Sequence, residues 1–467
     1  MPLILPGNVA SATADAGYTV ANSCRFNDGD SPQLTRVNSS DGSLTNWTFS
    51  IWVKRSTLGT AQKLLQCRNS GGTQYARISF DSSDQLDFSA SDNTNDDQLT
   101  TNRLFRDVSA WYHIVVVWDS DNATAGNRMR FFINGTEETS FATDNNPATD
   151  QESMMSKGTA ASTIGVGYAS VSNDDNFDGY LAEAVFLDGT AVTDATSFGE
   201  FDSDSPTIWK PIDVSGLTFG NEGFYLDFED SADLGDDESG NGNDFTEANL
   251  DATDSATDVP TNNFATLNPL ASVTDAPTFS EGNTKIVIQD AAAFGAQSTI
   301  GVAAGKWYAE FKLVASSDND MAVGINSDGD TPRSDLGVGF GSNSTGYRET
   351  GNLAVNGSDV GPISYGDSYT VDDIVGIALD LDNNKLYFSK NGTFQDSGDP
   401  TSGATGTGAL SITAAASTDS GFYFFNPSCH SGTQGGTWSA NFGGCPAFAI
   451  SSGNADADGY GNFEYAV

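Results

Sequence analysis

Val115-Val116-Val117-Trp118-Asp119-Ser120-Asp121-Asn122 leads, through a short polar gap, into Arg130-Phe131-Phe132-Ile133-Asn134-Gly135-Thr136. The same order recurs as Gly376-Ile377-Ala378-Leu379-Asp380-Leu381-Asp382-Asn383 followed by Lys385-Leu386-Tyr387-Phe388-Ser389-Lys390-Asn391-Gly392-Thr393. Each copy is a β-branched or aromatic run, an Asp/Asn turn, a second run and an Asn-Gly stop. Two runs flanking turn residues predict a β-hairpin, and Asn-Gly supplies the positive φ that the next tight turn demands. A hairpin cannot bury its own apolar face, so each copy requires a surrounding sheet. The expected fold class is all-β, with two antiparallel β-sandwiches in tandem.

Outward from these cassettes, further strands follow at short intervals. Phe49-Ser50-Ile51-Trp52-Val53-Lys54, Ala76-Arg77-Ile78-Ser79-Phe80 and Gln85-Leu86-Asp87-Phe88-Ser89 alternate apolar and polar, as half-buried strands do. Trp111–Trp118, Ser162–Gly167, Phe177–Leu187 and Gly223–Glu229 continue the first series; Thr284–Ile288, Trp307–Leu313, Met321–Ile325, Gly421–Phe425 and Gly436–Phe442 belong to the second. No segment sustains a helical period, although short helical turns fit near Asp194–Phe201. Residues 249–261 are polar and Asp-rich with few apolar anchors, which predicts a linker. The expected organisation is an arm over 1–22, a first domain over 23–248, that linker, and a second domain over 262–467. In the tail after Cys445, Tyr460, Phe463 and Tyr465 are the candidate anchors.

The chain has 467 residues, enough for two cores, and a formal charge of −43 from 63 acids against 20 bases. No basic stripe exists to displace phosphate counterions, which disfavours nucleic acid and, for the same reason, an anionic membrane surface. Between Lys210 and Lys285 there is no Lys or Arg, and none follows Lys390. Two readings of this acidity stand side by side: adaptation to saline water, and binding of divalent cations. Met1-Pro2-Leu3-Ile4-Leu5-Pro6-Gly7 lacks the basic start and apolar length of a signal peptide, and no stretch reaches transmembrane length, so the chain is expected to be soluble as made.

Cys24, Cys67, Cys429 and Cys445 form no C-x-x-C pair, which weakens zinc and redox readings. A disulfide in each half, Cys24 with Cys67 and Cys429 with Cys445, and four buried thiols are both open. With only His113 and His430, an imidazole-rich zinc site is nearly excluded, and a Ser-His-Asp triad would need one of these two. A glycosidase needs two carboxylates flanking one bond. The nearest pairs, Asp227/Glu229 and Asp380/Asp382, read as solvated or turn-capping acids, and no catalytic residue is assigned. Calcium is the candidate cofactor, because Asp119-Ser120-Asp121-Asn122 and Asn173-Asp174-Asp175-Asn176 offer hard oxygen ligands. The same residues also dominate loops as turn formers, so the metal ligands stay unassigned. For stacking on a sugar ring the candidates are Tyr168, Tyr347 and Trp438, which lie near loops, although such residues more often pack in the core or at its rim.

Phe49–Lys54, Trp111–Val115, Phe131-Phe132-Ile133-Asn134-Gly135 and Phe177-Asp178-Gly179-Tyr180-Leu181-Ala182-Glu183 make the first half resemble the laminin-G-like, concanavalin A-like jelly-roll lectins. The loop Asp237-Glu238-Ser239-Gly240-Asn241-Gly242-Asn243 resembles a turn that opens such domains; its place at the end implies a shifted strand order or a last strand that folds back. Gly305-Lys306-Trp307-Tyr308-Ala309-Glu310-Phe311, Ala322–Ile325, Asp373–Asp382, Leu386–Gly392 and Asn441-Phe442-Gly443 make the second half resemble a SPRY domain. The tandem, with Ala21–Asn27 and Pro260–Leu270, is similar to proteins of marine tailed bacteriophages, generally virion fibres or appendages. That resemblance implies a non-enzymatic virion surface protein that recognises a host-cell glycan or receptor through loops at the sandwich tips. It also implies other virion proteins as partners, a homo-oligomer (a trimer by analogy), and assembly in host cytoplasm without a signal peptide. Its rivals are a purely structural capsid or tail component and a glycan depolymerase.

Overall fold

The structure is a computed structural model, described over residues 17–165, 175–271, 277–289, 295–317, 319–327, 338–339, 341–355, 358–429, 435–456 and 459–466. Chain contacts divide it into two units between Asn263 and Phe264. Among the described residues the only helical segments are short 3-10 turns, and none is long and apolar enough to cross a membrane. The fold class is all-β, as the cassettes predict.

In the N-terminal unit, β1 (Ser23–Phe26), β2 (Gln33–Val37), β3 (Asn46–Arg55), β4 (Gln62–Arg68), β5 (Tyr75–Phe80) and β6 (Gln85–Ser91) come first. They are followed by β7 (Asp96–Leu104), β8 (Tyr112–Asp119), β9 (Met129–Ile133), β10 (Thr136–Glu137), β11 (Phe141–Asn145) and β12 (Ala161–Ile164). Last come β13 (Gly179–Asp188), β14 (Gly199–Phe201), β15 (Trp209–Pro211), β16 (Phe224–Leu226), β17 (Thr246–Ala248) and β18 (Ser255–Ala256). One antiparallel sheet runs β10-β9-β8-β3-β13-β1-β18, with β16 also on β13; the other runs β11-β7-β6-β5-β4-β12-β2-β17. Between them lies a core that includes Trp47, Phe49, Ile78, Phe88, Trp118, Phe131 and Phe186. The fold-back expected after the Asp237–Asn243 loop is present: β17 returns to pair with β2. Asp237 fixes the loop by accepting from the backbone amides of Tyr225, Ser239 and Asn243 at 2.8–3.0 Å.

The C-terminal unit contains β19 (Thr278–Ser280), β20 (Lys285–Ile288), β21 (Lys306–Ser316), β22 (Met321–Asn326), β23 (Thr345–Arg348), β24 (Asn352–Val355) and β25 (Ser358–Ser364). Then follow β26 (Ile374–Asp380), β27 (Lys385–Lys390), β28 (Thr393–Phe394), β29 (Leu410–Ser411), β30 (Phe424–Cys429) and β31 (Gly436–Asn441). Its sheets run β19-β20-β31-β21-β26-β27-β28, with β29 also on β27, and β25-β24-β23-β22-β30. Phe311, Val323, Tyr347, Ile377, Phe388 and Trp438 lie in the core between them. The tail is held by Phe463, whose ring meets Tyr308 edge-on at 5.1 Å, and by Glu310, which accepts from the amides of Glu464 and Tyr465 at 2.9 and 2.8 Å. The Tyr460 side chain is exposed.

The two cassettes close in the same way. Asn134 and Gly135 have φ of 48° and 76°, and Asn391 and Gly392 have 48° and 78°. Asn134 Oδ1 accepts from His113 N at 2.7 Å while its own N–H donates to His113 O at 2.9 Å. Asn391 does the same to Ile374, at 2.9 and 2.8 Å. Each turn glycine lies under an aromatic ring: a Cβ on Gly135 would sit 2.2 Å from the Trp209 ring, and one on Gly392 2.6 Å from Tyr465. Gly135→Ala is therefore expected to destabilise the N-terminal unit by about 1–3 kcal/mol through overpacking and positive φ. Chemical denaturation against the wild type checks it.

One expectation is corrected. Residues 249–261 are not a bare linker: Asn249 Nδ2 donates to Ser31 O at 3.2 Å, β18 pairs with β1, and Arg25 meets Asp254 at 3.0 Å. The acids there are used, because they neutralise cations of the first sheet. At Asp194–Phe201 one short hydrogen-bonded turn is present, with Phe198 N donating to Ala195 O at 3.0 Å and Asp194 Oδ1 accepting from Thr196 N at 3.0 Å, and it leads into β14.

Candidate functional site

A groove of about 410 Å³ lies over one sheet of the N-terminal unit, lined chiefly by β4–β7 and β11. It follows from strand period. In β5 and β6, Ala76, Ile78, Phe88 and Ala90 point into the core, so Arg77, Ser79, Asp87 and Ser89 point out. The pairing register then aligns these polar residues into two rows across the strands. One row is Gln66, Arg77, Ser89 and Gln98; the other is Lys63, Ser79, Asp87, Thr100 and Thr143.

The rows are unusual in being polar yet sheltered. Ser79, Asp87, Thr100 and Lys63 are only 4–7% exposed, which a sheet face open to water would not give. Asp87 Oδ2 accepts from Gln98 Nε2 at 2.6 Å and Thr100 Oγ1 at 2.8 Å. Arg77 Nε donates to Ser89 Oγ at 2.7 Å, and its guanidinium lies 4.7 Å from the centre of the Tyr75 ring. Lys63 Nζ stands 2.8 Å from Asp175. The other groove carboxylate, Asp81, accepts from the amides of Ser83 and Gln85 and so closes the β5–β6 turn. The result is a ladder of fixed donors and acceptors with spare hydrogen-bonding capacity, the chemistry that suits a polyhydroxylated ligand.

The expected site residues are mostly placed elsewhere. Tyr347 on β23 and Trp438 on β31 are both fully buried. Tyr347 sits among Tyr365, Tyr369 and Phe388 and donates to Asp367 O, and Trp438 Nε1 donates to Ser428 O at 3.2 Å. Strand alternation turns both rings inward, so neither can meet a sugar. Tyr168, Asn173, Asp174 and His430 lie outside the described residues.

Asp227 and Glu229 do not share a strand face, because β16 ends at Leu226 and Phe228 has φ of 61°; Asp227 instead accepts from Glu229 N at 3.0 Å. Asp380 caps its turn through Asn383, at 3.0 Å to N and 2.8 Å to Nδ2, and Asp382 accepts from Gly305 N at 2.9 Å. In the first cassette Asp119 and Asp121 both take a hydrogen bond from Asn46 Nδ2, at 3.0 and 3.1 Å. Among the described residues no three His, Cys, Asp or Glu side chains gather as a metal site.

All four cysteines are buried thiols, and burial pushes Cys67 up to about 12. His113 is fully buried and pushed down to about 3 by desolvation. Its Nδ1 accepts from Trp209 Nε1 at 2.9 Å, so its proton sits on Nε2, facing Ser50 Oγ at 2.8 Å. Both nitrogens are thus committed within the core.

Comparison with known proteins agrees with this architecture. Residues 28–196 match the family model described as the Concanavalin A-like lectin/glucanases superfamily. Residues 306–426 match the model of the SPRY domain. No curated protein matches the sequence. Among solved structures, the heptameric SAP-like pentraxin from Limulus polyphemus is similar at 14% identity and a TM-score of 0.29, over 38% of this chain and 80% of that one. The SPRY domain of human HERC1 is similar at 18% identity and a TM-score of 0.29, over 39% of this chain and 99% of that one. The CBM40 of Ruminococcus gnavus IT-sialidase, bound to alpha2,3 sialyllactose, is similar at 15% identity and a TM-score of 0.24, over 32% of this chain and 86% of that one. Two family models thus match in tandem, the Laminin_G_3 model of the Concanavalin A-like lectin/glucanases superfamily within the N-terminal unit and the SPRY model within the C-terminal unit.

Proposed function

We propose that this is a non-enzymatic surface protein of a tailed-bacteriophage virion, a fibre or appendage component, that recognises the host cell by binding saccharide in the groove over β4–β7. The observation that carries the binding reading is the pair of sheltered polar rows, Gln66-Arg77-Ser89-Gln98 and Lys63-Ser79-Asp87-Thr100-Thr143. The match to a lectin-containing superfamily supports it. The virion setting rests on the resemblance of the tandem to phage appendage proteins and on the acidity, which suits a particle surface in salt water. Weak single sites on such a particle gain strength by repetition. This differs from the loop-tip contact expected from sequence: the sheltered surface lies on a sheet face.

Binding of the full chain to a panel of bacterial surface polysaccharides tests the reading. At least one is expected to bind, and Arg77→Ala is expected to weaken it about tenfold or more, since a charged hydrogen bond is worth ~1.5–3 kcal/mol. The protein is also expected to compete with particles for adsorption. Binding to particle proteins with none to cells would point to a purely structural component. New reducing ends on a bound polysaccharide would point to a depolymerase.

A further inference from the structure

Lys54, at the end of β3, is almost completely buried, as is Asp258, and their ion pair closes at 2.6 Å. Lys54 Nζ also donates to Asn263 Oδ1 at 2.8 Å. The amide of Asn263 is oriented by its other end, which donates from Nδ2 to Ser109 O at 2.8 Å. The carboxyl of Asp258 is oriented by Trp111 Nε1, 3.0 Å from Oδ1. The Tyr180 ring lies 5.8 Å from the ammonium. An amine, a carboxylate and a primary amide therefore meet in a pocket walled by two aromatic rings.

We propose that these three residues form an intramolecular isopeptide bond between Lys54 Nζ and Asn263 Cγ, with Asp258 as the proton carrier. Placing an ammonium beside a carboxylate away from water favours sharing of the proton, because separated charges are poorly solvated there. Transfer to Asp258 leaves Lys54 as a neutral amine, the form in which a desolvated lysine is nucleophilic. Asn263 Cγ lies one C=O bond of about 1.23 Å beyond Oδ1, so the amine stands within ~4 Å of it, near the range of a productive approach. The amine attacks Cγ, Asp258 returns its proton to the amide nitrogen, the C–N bond to that nitrogen breaks, and the departing ammonia takes the surplus proton from the newly acylated lysine nitrogen and leaves as ammonium. Overall, the lysine ammonium and the asparagine amide become one secondary amide plus an ammonium ion. No oxidant, reductant or cofactor is needed, and Asp258 ends as it began.

The bond would tie β3 to the last residue of the N-terminal unit, where the chain leaves it. It would supply a covalent staple to a chain whose cysteines are thiols. It would also lock residues 251–262 onto the unit.

Intact-mass spectrometry of the purified full chain is the test. The expected mass is lower than that of the sequence by one ammonia, and digestion is expected to yield a branched peptide joining Lys54 to Asn263. Lys54→Arg, Asn263→Ala and Asp258→Asn are each expected to restore the full mass of their own sequences. A wild-type chain that keeps its full mass after prolonged incubation would show an ordinary buried ion pair and overturn the proposal. A deficit that persists in Lys54→Arg would place the ammonia loss in a succinimide and overturn it too. The wild-type measurement does not depend on whether a variant folds.

Discussion

Arg55→Met is expected to lower the stability of the N-terminal unit by about 3–5 kcal/mol, because it strands several buried acceptors at about 1–3 kcal/mol each. Arg55 is 1% exposed and makes contact in several directions. Its NH1 donates to Asp84 Oδ1 at 3.1 Å and Phe105 O at 2.8 Å, its NH2 to Thr57 O at 3.2 Å, and both Nε and NH2 reach Gln62 Oε1. The guanidinium carbon also lies 4.3 Å from the centre of the Phe80 ring. Methionine keeps much of the volume, so the loss reports chiefly the stranded carbonyls and the Gln62 amide oxygen. Asp84 itself remains paired, by Arg106 at 2.8 Å and Gly59 N at 2.7 Å. The control is Arg106→Met: that side chain is 56% exposed, and the change is expected to cost no more than about 1 kcal/mol. Denaturant midpoints, read on the transition of the N-terminal unit, separate the two.

Stability is also expected to fall as pH rises from about 4.5 to about 7, because of Glu183. This side chain is 4% exposed at a β-bulge in β13. Burial raises its acid from the ordinary 4.5 to about 7, Asp227 and Glu229 add to the rise, and hydrogen bonds from Tyr225 and Tyr18 oppose it. Tyr225 OH donates to Oε2 at 2.9 Å and Tyr18 OH reaches both carboxylate oxygens at 3.2–3.3 Å. The sign follows from proton counting. Between the two values the folded chain holds a proton that the unfolded chain has released, so the stabilisation is complete below 4.5 and lost by the time pH passes 7. At ~1.4 kcal/mol per unit, the loss across this window is about 3 kcal/mol. Glu183→Gln keeps an acceptor for both tyrosines but cannot ionise. It is expected to flatten this part of the pH profile and to exceed the wild type in stability at pH 8. Denaturation at a series of pH values, wild type beside variant, measures the difference.

Local features were readable from sequence, and pairings between distant residues were not. The hairpins were legible because Asn134-Gly135 and Asn391-Gly392 carry their turn geometry in the residue types themselves. The strands of the groove were legible too, since alternation over Ala76–Phe80 and Gln85–Ser89 needs only neighbours. What alternation cannot give is register, and without it Arg77, Ser89 and Gln98 are not a row. The misread linker has the same origin. Asp254 and Asp258 look like surplus charge until Arg25 and Lys54, more than two hundred residues away, are brought beside them. Tyr347 and Trp438 were sugar-stacking candidates because they lie near loops, yet the pleat turned both toward the core. His113 was singled out as one of two histidines, and only its contacts with Trp209 and Ser50 show that it serves packing.

The central claim is that ligand is met on the sheet face of the N-terminal unit. Amide hydrogen exchange of the full chain, with and without the polysaccharide that binds best, locates the contact. Added protection over residues 75–100, with the C-terminal unit unchanged, is the predicted result. Failure of every polysaccharide to bind, or protection confined to strands and loops away from β4–β7, would contradict it.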